Sequence, residues 1–381
     1  MKILYLTEFF PTNKQNIKGG VEARSFFLLK ELDKINQYYI VASSEKGEKK
    51  SSKIFTQSKI FKCGKKNGLY LHDGGLWQRF LFVISGTIKA LNIIKEVEII
   101  EASGWMGCAI ALILKTFTKK PIVITYHEVW IDQWEKIFGF NGKIGKCLEK
   151  KILKQHWTKI IAVSKKTKND LQKYSPKNDV TVIYNGIEKN DIFEKKIEKY
   201  FQPTICTVAR LVTYKRISDL IMAMPEIKKN IFNIKLLIIG EGSEKNNLHA
   251  LVKKLQLEKN VEFLGYIESH DDVLWEIKKS HIFCLPTEKE GFGIATIEAI
   301  GCKTPYVVSD IDVNKEITNN GEGGILYPVG NIQQLAGAVL GLLKNTKKYN
   351  QKIQEEKSLI KRYQWHEITI QMNMFYKKIC K

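Results

Sequence analysis

The chain has 381 residues, is 44% hydrophobic and carries a net charge of +21 from 61 Lys and Arg against 40 Asp and Glu. That length and apolar content are enough to bury large cores and predict two domains rather than one. The seven cysteines show neither CxxC nor Cys/His spacing, which excludes a readable metal site and makes them reduced core residues. The apolar runs Phe80–Ile88 and Trp105–Leu114 fall short of the roughly 18–20 residues that span a bilayer. Met1–Glu8 is too short an apolar run for a signal peptide, and Glu8 interrupts it. The expectation is a cytoplasmic protein. Residues 1–200 hold 36 basic and 20 acidic side chains, and residues 201–381 hold 25 and 20. A basic half points to nucleic acid, an anionic membrane or an anionic substrate, or reflects only a lysine-rich genome.

In chain order, apolar runs alternate with helical patterns. Lys2–Leu6, Tyr38–Ala42, Val97–Glu101, Ile122–Tyr126, Lys159–Val163 and Val180–Ile183 read as strands of a first sheet. Thr204–Ala209, Ile234–Ile239, Val261–Leu264, Ile282–Leu285, Tyr306–Val308 and Ile325–Tyr327 read as strands of a second. Most runs are continuous, as in strands covered on both faces. Strand–helix alternation predicts an α/β fold of doubly wound parallel sheets. The charged segment Glu188–Tyr200 shows no apolar face and precedes Pro203, so it reads as a linker. Lys46–Lys53 is a low-complexity tract.

Gly19-Gly20 follows the first strand and a loop, and Ala23, Phe26, Phe27 and Leu32 then recur at helical spacing. A glycine pair opening a helix is either a phosphate cradle or a tight loop. From Leu76 to Lys95, Trp77, Phe80, Leu81, Ile84, Ile88 and Leu91 recur at helical spacing. Arg79, Lys89 and Lys95 lie among the polar positions, and Lys62, Lys65 and Lys66 lie upstream. This is either an ordinary core-facing helix with solvated lysines or a helix that docks reversibly on an anionic membrane surface. His127 ends the strand Ile122–Tyr126. It either donates to a ligand or moves a proton there, or it is structural.

Arg210 and Lys215 lie just past the strand Thr204–Ala209, with Arg216 beside them. Cations at a strand end clamp a diphosphate or make a solvated basic loop. Gly240-Glu241-Gly242 has the form of a glycine turn at a ligand crevice, and Tyr266 either lies under a nucleobase or packs. The stretch Pro286 to Glu298 is the most informative. A strand ends at Pro286, Glu290-Gly291-Phe292-Gly293 turns the chain, and Ile294 opens a helix that carries Glu298. Free N–H groups and the positive helix end suit a phosphate, while carboxylates accept from hydroxyls. Phosphate beside hydroxyls describes a nucleotide sugar. Asp310-Ile311-Asp312 is a short acidic match read as a loop with no metal role.

In this order, Gly19-Gly20, His127, Tyr184-Asn185-Gly186, Arg210 with Lys215, Gly240-Glu241-Gly242 and Glu290 to Glu298 resemble the retaining glycosyltransferases of GT-B fold, of the group 1 or family 4 type. The likeness covers nearly the whole chain. It implies two Rossmann-like domains facing across a cleft, an acceptor domain over residues 1–195 and a nucleotide-sugar domain over residues 196–362. The helix 363–381, with Trp365, is expected to cross back onto the first domain.

By this resemblance Arg210 and Lys215 hold the diphosphate, Glu298 binds the ribose and Glu290 contacts the transferred sugar. The backbone of Gly291, Phe292, Gly293 and Ile294 helps to hold phosphate and sugar. Gly19, Gly20, Gly242 and Tyr266 complete the donor site, and His127 sits beside sugar and acceptor. The implied donor is a UDP- or GDP-linked sugar, with no cofactor and no metal, and the acceptor is a glycan or a lipid-linked precursor. The chain departs from the pattern at Lys303, where the family carries glycine, and at Asp310–Glu316, which lacks a glycine pair. A sugar-nucleotide epimerase or hydrolase of the same architecture is the alternative. A basic nucleic-acid-binding protein is a third reading, without a recognised module.

Overall fold

The computed structural model describes residues 1–13, 17, 19–44, 51–64, 75–188 and 191–380. Two compact units divide the chain: Met1–Gly186 with Trp365–Lys381, and Ile187–Gln364. The first unit runs β1 (Lys2–Thr7), α1 (Gly20–Leu32), β2 (Gln37–Ser43), β3 (Ser51–Ile54), β4 (Ser58–Cys63), α2 (Leu76–Ile93), β5 (Ile99–Ser103), α3 (Gly104–Leu114), β6 (Ile122–Tyr126), α4 (Trp134–Phe138), α5 (Gly142–Leu153), β7 (Lys159–Ala162), α6 (Lys165–Tyr174) and β8 (Val180–Val182). The second runs α7 (Asp191–Glu194), β9 (Thr204–Val208), α8 (Ile217–Asn230), β10 (Lys235–Ile239), α9 (Lys245–Lys254), β11 (Val261–Gly265), α10 (His270–Lys279), β12 (Ile282–Leu285), α11 (Ile294–Gly301), β13 (Tyr306–Ser309), α12 (Asp312–Ile317), β14 (Gly324–Tyr327), α13 (Ile332–Leu343) and α14 (Thr346–Ile360). The last helix, α15 (Trp365–Ile379), returns to the first unit.

The first sheet has the order β3-β4-β2-β1-β5-β6-β7-β8, parallel except for the β3–β4 pair. Continuous apolar strands such as Ile3–Leu6 and Ile122–Ile124 are buried because helices cover both faces. β3 and β4 escaped the sequence reading, since neither carries a continuous apolar run and the start of β3 fell in the tract read as low complexity. Residues 51–53 of that tract belong to β3, and residues 46–50 lie outside the described residues. Within β4, Lys62 is buried and its Nζ donates to the Phe10 carbonyl at 3.0 Å. It is therefore no surface cation. Lys65 and Lys66 lie outside the described residues.

Of the two readings of the α2 stripe, the core-facing one is not what the structure shows, except at its last member, Leu91, which packs against the core. The stripe Trp77, Phe80, Leu81, Ile84 and Ile88 faces away from the core and is exposed, whereas Phe82, Gly86, Thr87, Ala90 and Ile93 are buried against the sheet and α3. A Cβ on Gly86 would meet Ile110 Cδ1 at 2.7 Å, so the small residue lets α2 and α3 approach closely. Of the cysteines, Cys108, Cys206, Cys284 and Cys302 are buried, Cys63 is half-buried, and Cys147 and Cys380 are exposed.

The helix α15 buries Trp365, Ile368, Met372, Phe375 and Tyr376 among residues of β1, β2 and α1. Each such side chain contributes roughly 1.5–3 kcal/mol on leaving water. Trp365 stacks on Phe27 at 6.3 Å, and Tyr376 bonds the buried Glu101 carboxylate, which also accepts from Thr125 Oγ1 at 2.7 Å.

The second sheet has the order β11-β10-β9-β12-β13-β14, parallel throughout. The segment read as a linker is part of this unit. The Ile187 N–H donates to the Tyr363 carbonyl at 2.6 Å, Ile192 and Phe193 are buried, and Lys278 Nζ donates to the Phe193 carbonyl at 2.9 Å. Two adjacent apolar residues make no periodic face, so the sequence pattern hid them. The chain thus changes units after Gly186 and again after Gln364, not at 195 and 362.

Lys303, where the resembled family carries glycine, follows α11 with φ of +56°. This is the left-handed position after a helix end, where a side chain costs about 1 kcal/mol. Its exposed pair with Glu194 at 3.1 Å adds little. Lys303→Gly should therefore stabilise the protein by about 0.5–1 kcal/mol in urea titrations, after allowance for the greater freedom of unfolded glycine. A destabilised variant would show that the Lys303 side chain is needed for packing.

Candidate active site

In the second unit the strand order reverses between β9 and β12, which pair in parallel through Ile205–Ile282 and Cys206–Phe283. At such a reversal the loops leaving the two carboxyl ends diverge and open a crevice. Arg210, Tyr214 and Lys215 follow β9, while Thr287, Glu290 and the turn into α11 follow β12. The Tyr214 carbonyl ties the two loops together, accepting from the Glu288 N–H at 3.0 Å and the Thr287 hydroxyl at 3.3 Å.

Lys215 Nζ consequently forms an ion pair with Glu290 Oε1, their side chains only 12% and 11% exposed. Arg210 Nη2 donates to the Tyr214 hydroxyl at 2.5 Å. Arg216, the third cation of the cluster, is held instead by Asp219 at 2.7 Å and Glu288 at 3.4 Å.

Gly240 has φ of +131°, and a Cβ there would lie 2.0 Å from the Ala209 carbonyl oxygen. A Cβ on Gly242 would lie 2.2 Å from the Leu211 carbonyl oxygen. Both glycines let this turn press on the backbone that carries Arg210, and the Leu211 N–H donates to the Glu241 carbonyl at 2.9 Å. Tyr266, just past β11, is about half exposed.

The start of α11 presents backbone rather than side chains. Gly293 caps it in the left-handed conformation, φ +82° and ψ +51°, and no side chain caps the helix. Phe292 points inward and packs edge-on against Tyr363 at 5.8 Å, so this residue offers backbone rather than ring. One turn on, Glu298 is buried and its Oε1 lies 3.1 Å from His270 Nε2. Beside the turn, Thr296 Oγ1 and Asn314 Oδ1 are buried oxygens without a hydrogen-bond partner. Both lie within 4 Å of where a Gly293 Cβ would stand, at 3.9 and 3.7 Å.

The sequence reading missed Tyr214, His270, Thr296 and Asn314. Only Tyr214 had a local signal, sitting next to Lys215. Asp310 pairs with Lys315 at 3.0 Å and Asp312 opens α12. Among the described residues there is no group of three or more His, Cys, Asp or Glu able to hold a metal.

In the first unit, His127 follows β6 and its Nε2 lies 2.9 Å from Ser103 Oγ at the end of β5. Burial, and then the Arg24 guanidinium, push its pKa down to about 3, so the half-buried ring is neutral at physiological pH. Arg24 is itself buried in α1, with Nη1 donating to the Ile183 and Tyr184 carbonyls at 3.1 and 2.7 Å and to Asn185 Oδ1 at 2.8 Å. Gly19 caps α1 in extended conformation without a side-chain bond, and Gly20 is exposed in its first turn.

The family model for glycosyl transferases group 1 matches residues 188–359, and that for glycosyltransferase family 4 matches residues 18–191. An uncharacterized glycosyltransferase of Methanocaldococcus jannaschii is 30% identical over 266 residues, 65% of this chain and 67% of that one. The chain belongs to the group 1 glycosyltransferases. By structure this glycosyltransferase is similar to sucrose-phosphate synthase from Thermosynechococcus elongatus, with a TM-score of 0.84 at 17% identity over 100% of this chain and 99% of that one. It is also similar to HepE of Anabaena in complex with UDP, with a TM-score of 0.74 at 16% identity over 99% of this chain and 100% of that one. Its fold is GT-B, with two Rossmann-like units.

The neutral His127 makes the glycosyltransferase acid-sensitive. An unfolded imidazole takes a proton near pH 6.5 and the folded one near 3, so stability is full above 6.5 and lost as pH falls between these values. His127→Gln should remove about 1 kcal/mol of the loss between pH 7 and pH 5, a figure discounted for the water that reaches the ring. Identical pH dependence of the urea midpoint in both proteins would show that the folded imidazole protonates normally.

Proposed function

We propose that this glycosyltransferase moves a sugar from a UDP- or GDP-linked donor to an acceptor hydroxyl with retention of configuration and without a metal ion. The observation that carries the reading is the Lys215–Glu290 pair at the β9–β12 reversal, beside the uncapped start of α11. It joins a phosphate-binding cation to a carboxylate suited to sugar hydroxyls, next to backbone N–H groups that favour anions. The UDP bound by HepE supports a nucleotide donor, and UDP in particular.

In this reading Lys215 gives up part of its bond with Glu290 when the diphosphate enters, and Arg210 turns from Tyr214 to the same phosphates. The released carboxylate of Glu290 accepts from the sugar hydroxyls. Thr296 Oγ1 and Asn314 Oδ1, buried without partners, offer further acceptors, and satisfying such groups removes a desolvation penalty. Glu298, oriented by His270, accepts from the ribose.

The acceptor oxygen then bonds to the anomeric carbon on the face from which the phosphate oxygen departs. The bond to that oxygen breaks with its electron pair, and the acceptor proton passes to it. Arg210 and Lys215 stabilise the growing negative charge, and this placement of charge is the main protein contribution. His127 serves as a neutral hydrogen-bond partner at the acceptor side, not as a cationic acid. Two cations neutralise much of the diphosphate charge, the role that a metal plays in other sites.

Arg210→Ala and Lys215→Ala should each lower kcat/KM at least about 10²-fold, roughly 3 kcal/mol of transition-state stabilisation. Near-normal turnover in both would refute the site. The carboxylates should separate by calorimetry with UDP and GDP. Glu298→Gln should weaken nucleotide binding, since a ribose contact is made equally before and during reaction. Glu290→Gln should leave nucleotide affinity unchanged or raise it, because Lys215 no longer trades partners, while kcat falls. Equal nucleotide affinity in wild type and Glu298→Gln would remove the ribose role.

A further inference from the structure

The helix α2 carries two apolar faces, and the fold uses one. Phe82, Gly86, Ala90 and Ile93 pack into the first unit, while Leu76, Trp77, Phe80, Leu81, Ile84 and Ile88 are each between 38% and 66% exposed. At 100° per residue, positions 77, 80, 81, 84 and 88 form one continuous stripe. The Trp77 and Phe80 rings stack on each other at 5.4 Å without being covered. An exposed patch of such large side chains marks a surface that meets something other than water.

Charge indicates what that partner is. From Leu76 to Lys95 the sequence holds no acidic residue; Arg79 is buried and paired with Glu8 at 3.1 Å, which leaves Lys89 and Lys95 as the cations of this stretch. Lys95 extends the stripe past the end of the helix, and Lys120 Nζ donates to its carbonyl at 3.3 Å. The turn that brings Lys120 there, after α3, also carries the exposed Lys119, with Phe117 exposed beside it. In sequence the flanking acids are Asp73 before the helix and Glu96 and Glu98 after it, and Glu98 accepts from the Lys2 N–H at 2.6 Å. An aromatic and aliphatic ridge rimmed by lysines complements an anionic lipid surface, because the ridge enters the acyl boundary while the cations stay among the headgroups. No helix among the described residues is long and apolar enough to cross a membrane, so the contact runs along the surface.

We propose that α2 docks this glycosyltransferase on an anionic phospholipid bilayer, with Trp77, Phe80, Leu81, Ile84 and Ile88 inserted and the exposed Lys95 and Lys119 set against acidic headgroups. The proposal goes beyond the transfer reaction and deepens it, since an enzyme held on a bilayer meets lipid-linked acceptors. That last step rests on the transfer reading, whereas docking requires neither donor nor acceptor.

The test is sedimentation of the full chain with phosphatidylcholine vesicles containing none, a fifth or half phosphatidylglycerol, at low and high salt. Binding should rise with phosphatidylglycerol and fall with salt. The triple variant Trp77→Ser, Phe80→Ser, Ile84→Ser should lose about tenfold or more in partitioning, since it removes most of the inserted ridge. The double variant Lys95→Glu, Lys119→Glu should lose about as much, and only on anionic vesicles. Unchanged Tm and unchanged calorimetric UDP binding in both variants keep a docking defect distinct from misfolding and from failure of the donor site. Should the serine variant not fold, the lysine variant alone decides. Equal recovery in the supernatant with neutral and anionic vesicles at low salt overturns the proposal. So does a vesicle-free dimer abolished by the serine variant, which would place a second copy on this face.

Discussion

The candidate site depends on the parallel pairing of β9 with β12. Strands adjacent in space but separated in sequence carry their following loops to the same end of the sheet, so Lys215 and Glu290 meet across 75 residues of chain. The Tyr214 carbonyl closes the arrangement by accepting from the β12 loop. Glycines at 240 and 242 press a third loop against the first. A buried pair of this kind adds little net stability over an apolar pair of the same shape, yet losing either member is costly. In the proposed reaction, its use is to keep a cation and a carboxylate desolvated and ready to exchange partners with a diphosphate and a sugar.

The first unit solves a different problem, holding polar groups in a dry interior. Arg24 in α1 binds the loop after β8 through Ile183, Tyr184 and Asn185, and Glu101 in β5 takes the hydroxyl of Tyr376 from α15. These bonds fasten the first helix, the last strand and the last helix to one sheet. The Arg24 charge also reaches His127, whose neutral state follows from burial and that neighbour together. The same residue thus organises the domain and sets the protonation of a candidate functional side chain.

The surface of α2 shows how one helix serves two environments. Gly86 and Ala90 let its inner face sit tightly on the sheet and on α3 beside the buried Phe82 and Ile93, while a second set of large apolar residues stays exposed on the outer face. Burial of that second set would itself be favourable, since large apolar side chains gain most from leaving water. That exposed apolar face is the one proposed to meet a bilayer.

The sequence by itself determined the alternation of strands and helices, the two-domain α/β architecture and the motif order, because continuous apolar runs and glycine turns are local signals. Each of the twelve expected strands overlaps an observed one. Tertiary structure alone decided what depends on partners distant in sequence. It added β3 and β4, whose many polar residues leave no continuous apolar run to read. It anchored the expected linker through Ile192 and Phe193, buried Lys62, and turned the apolar stripe of α2 outward. It joined Lys215 to Glu290 and His270 to Glu298, and it showed that Phe292 contributes backbone rather than ring. A periodic pattern reports that a face is apolar, not which neighbour covers it, and a charged residue names no partner until strand order brings one within reach.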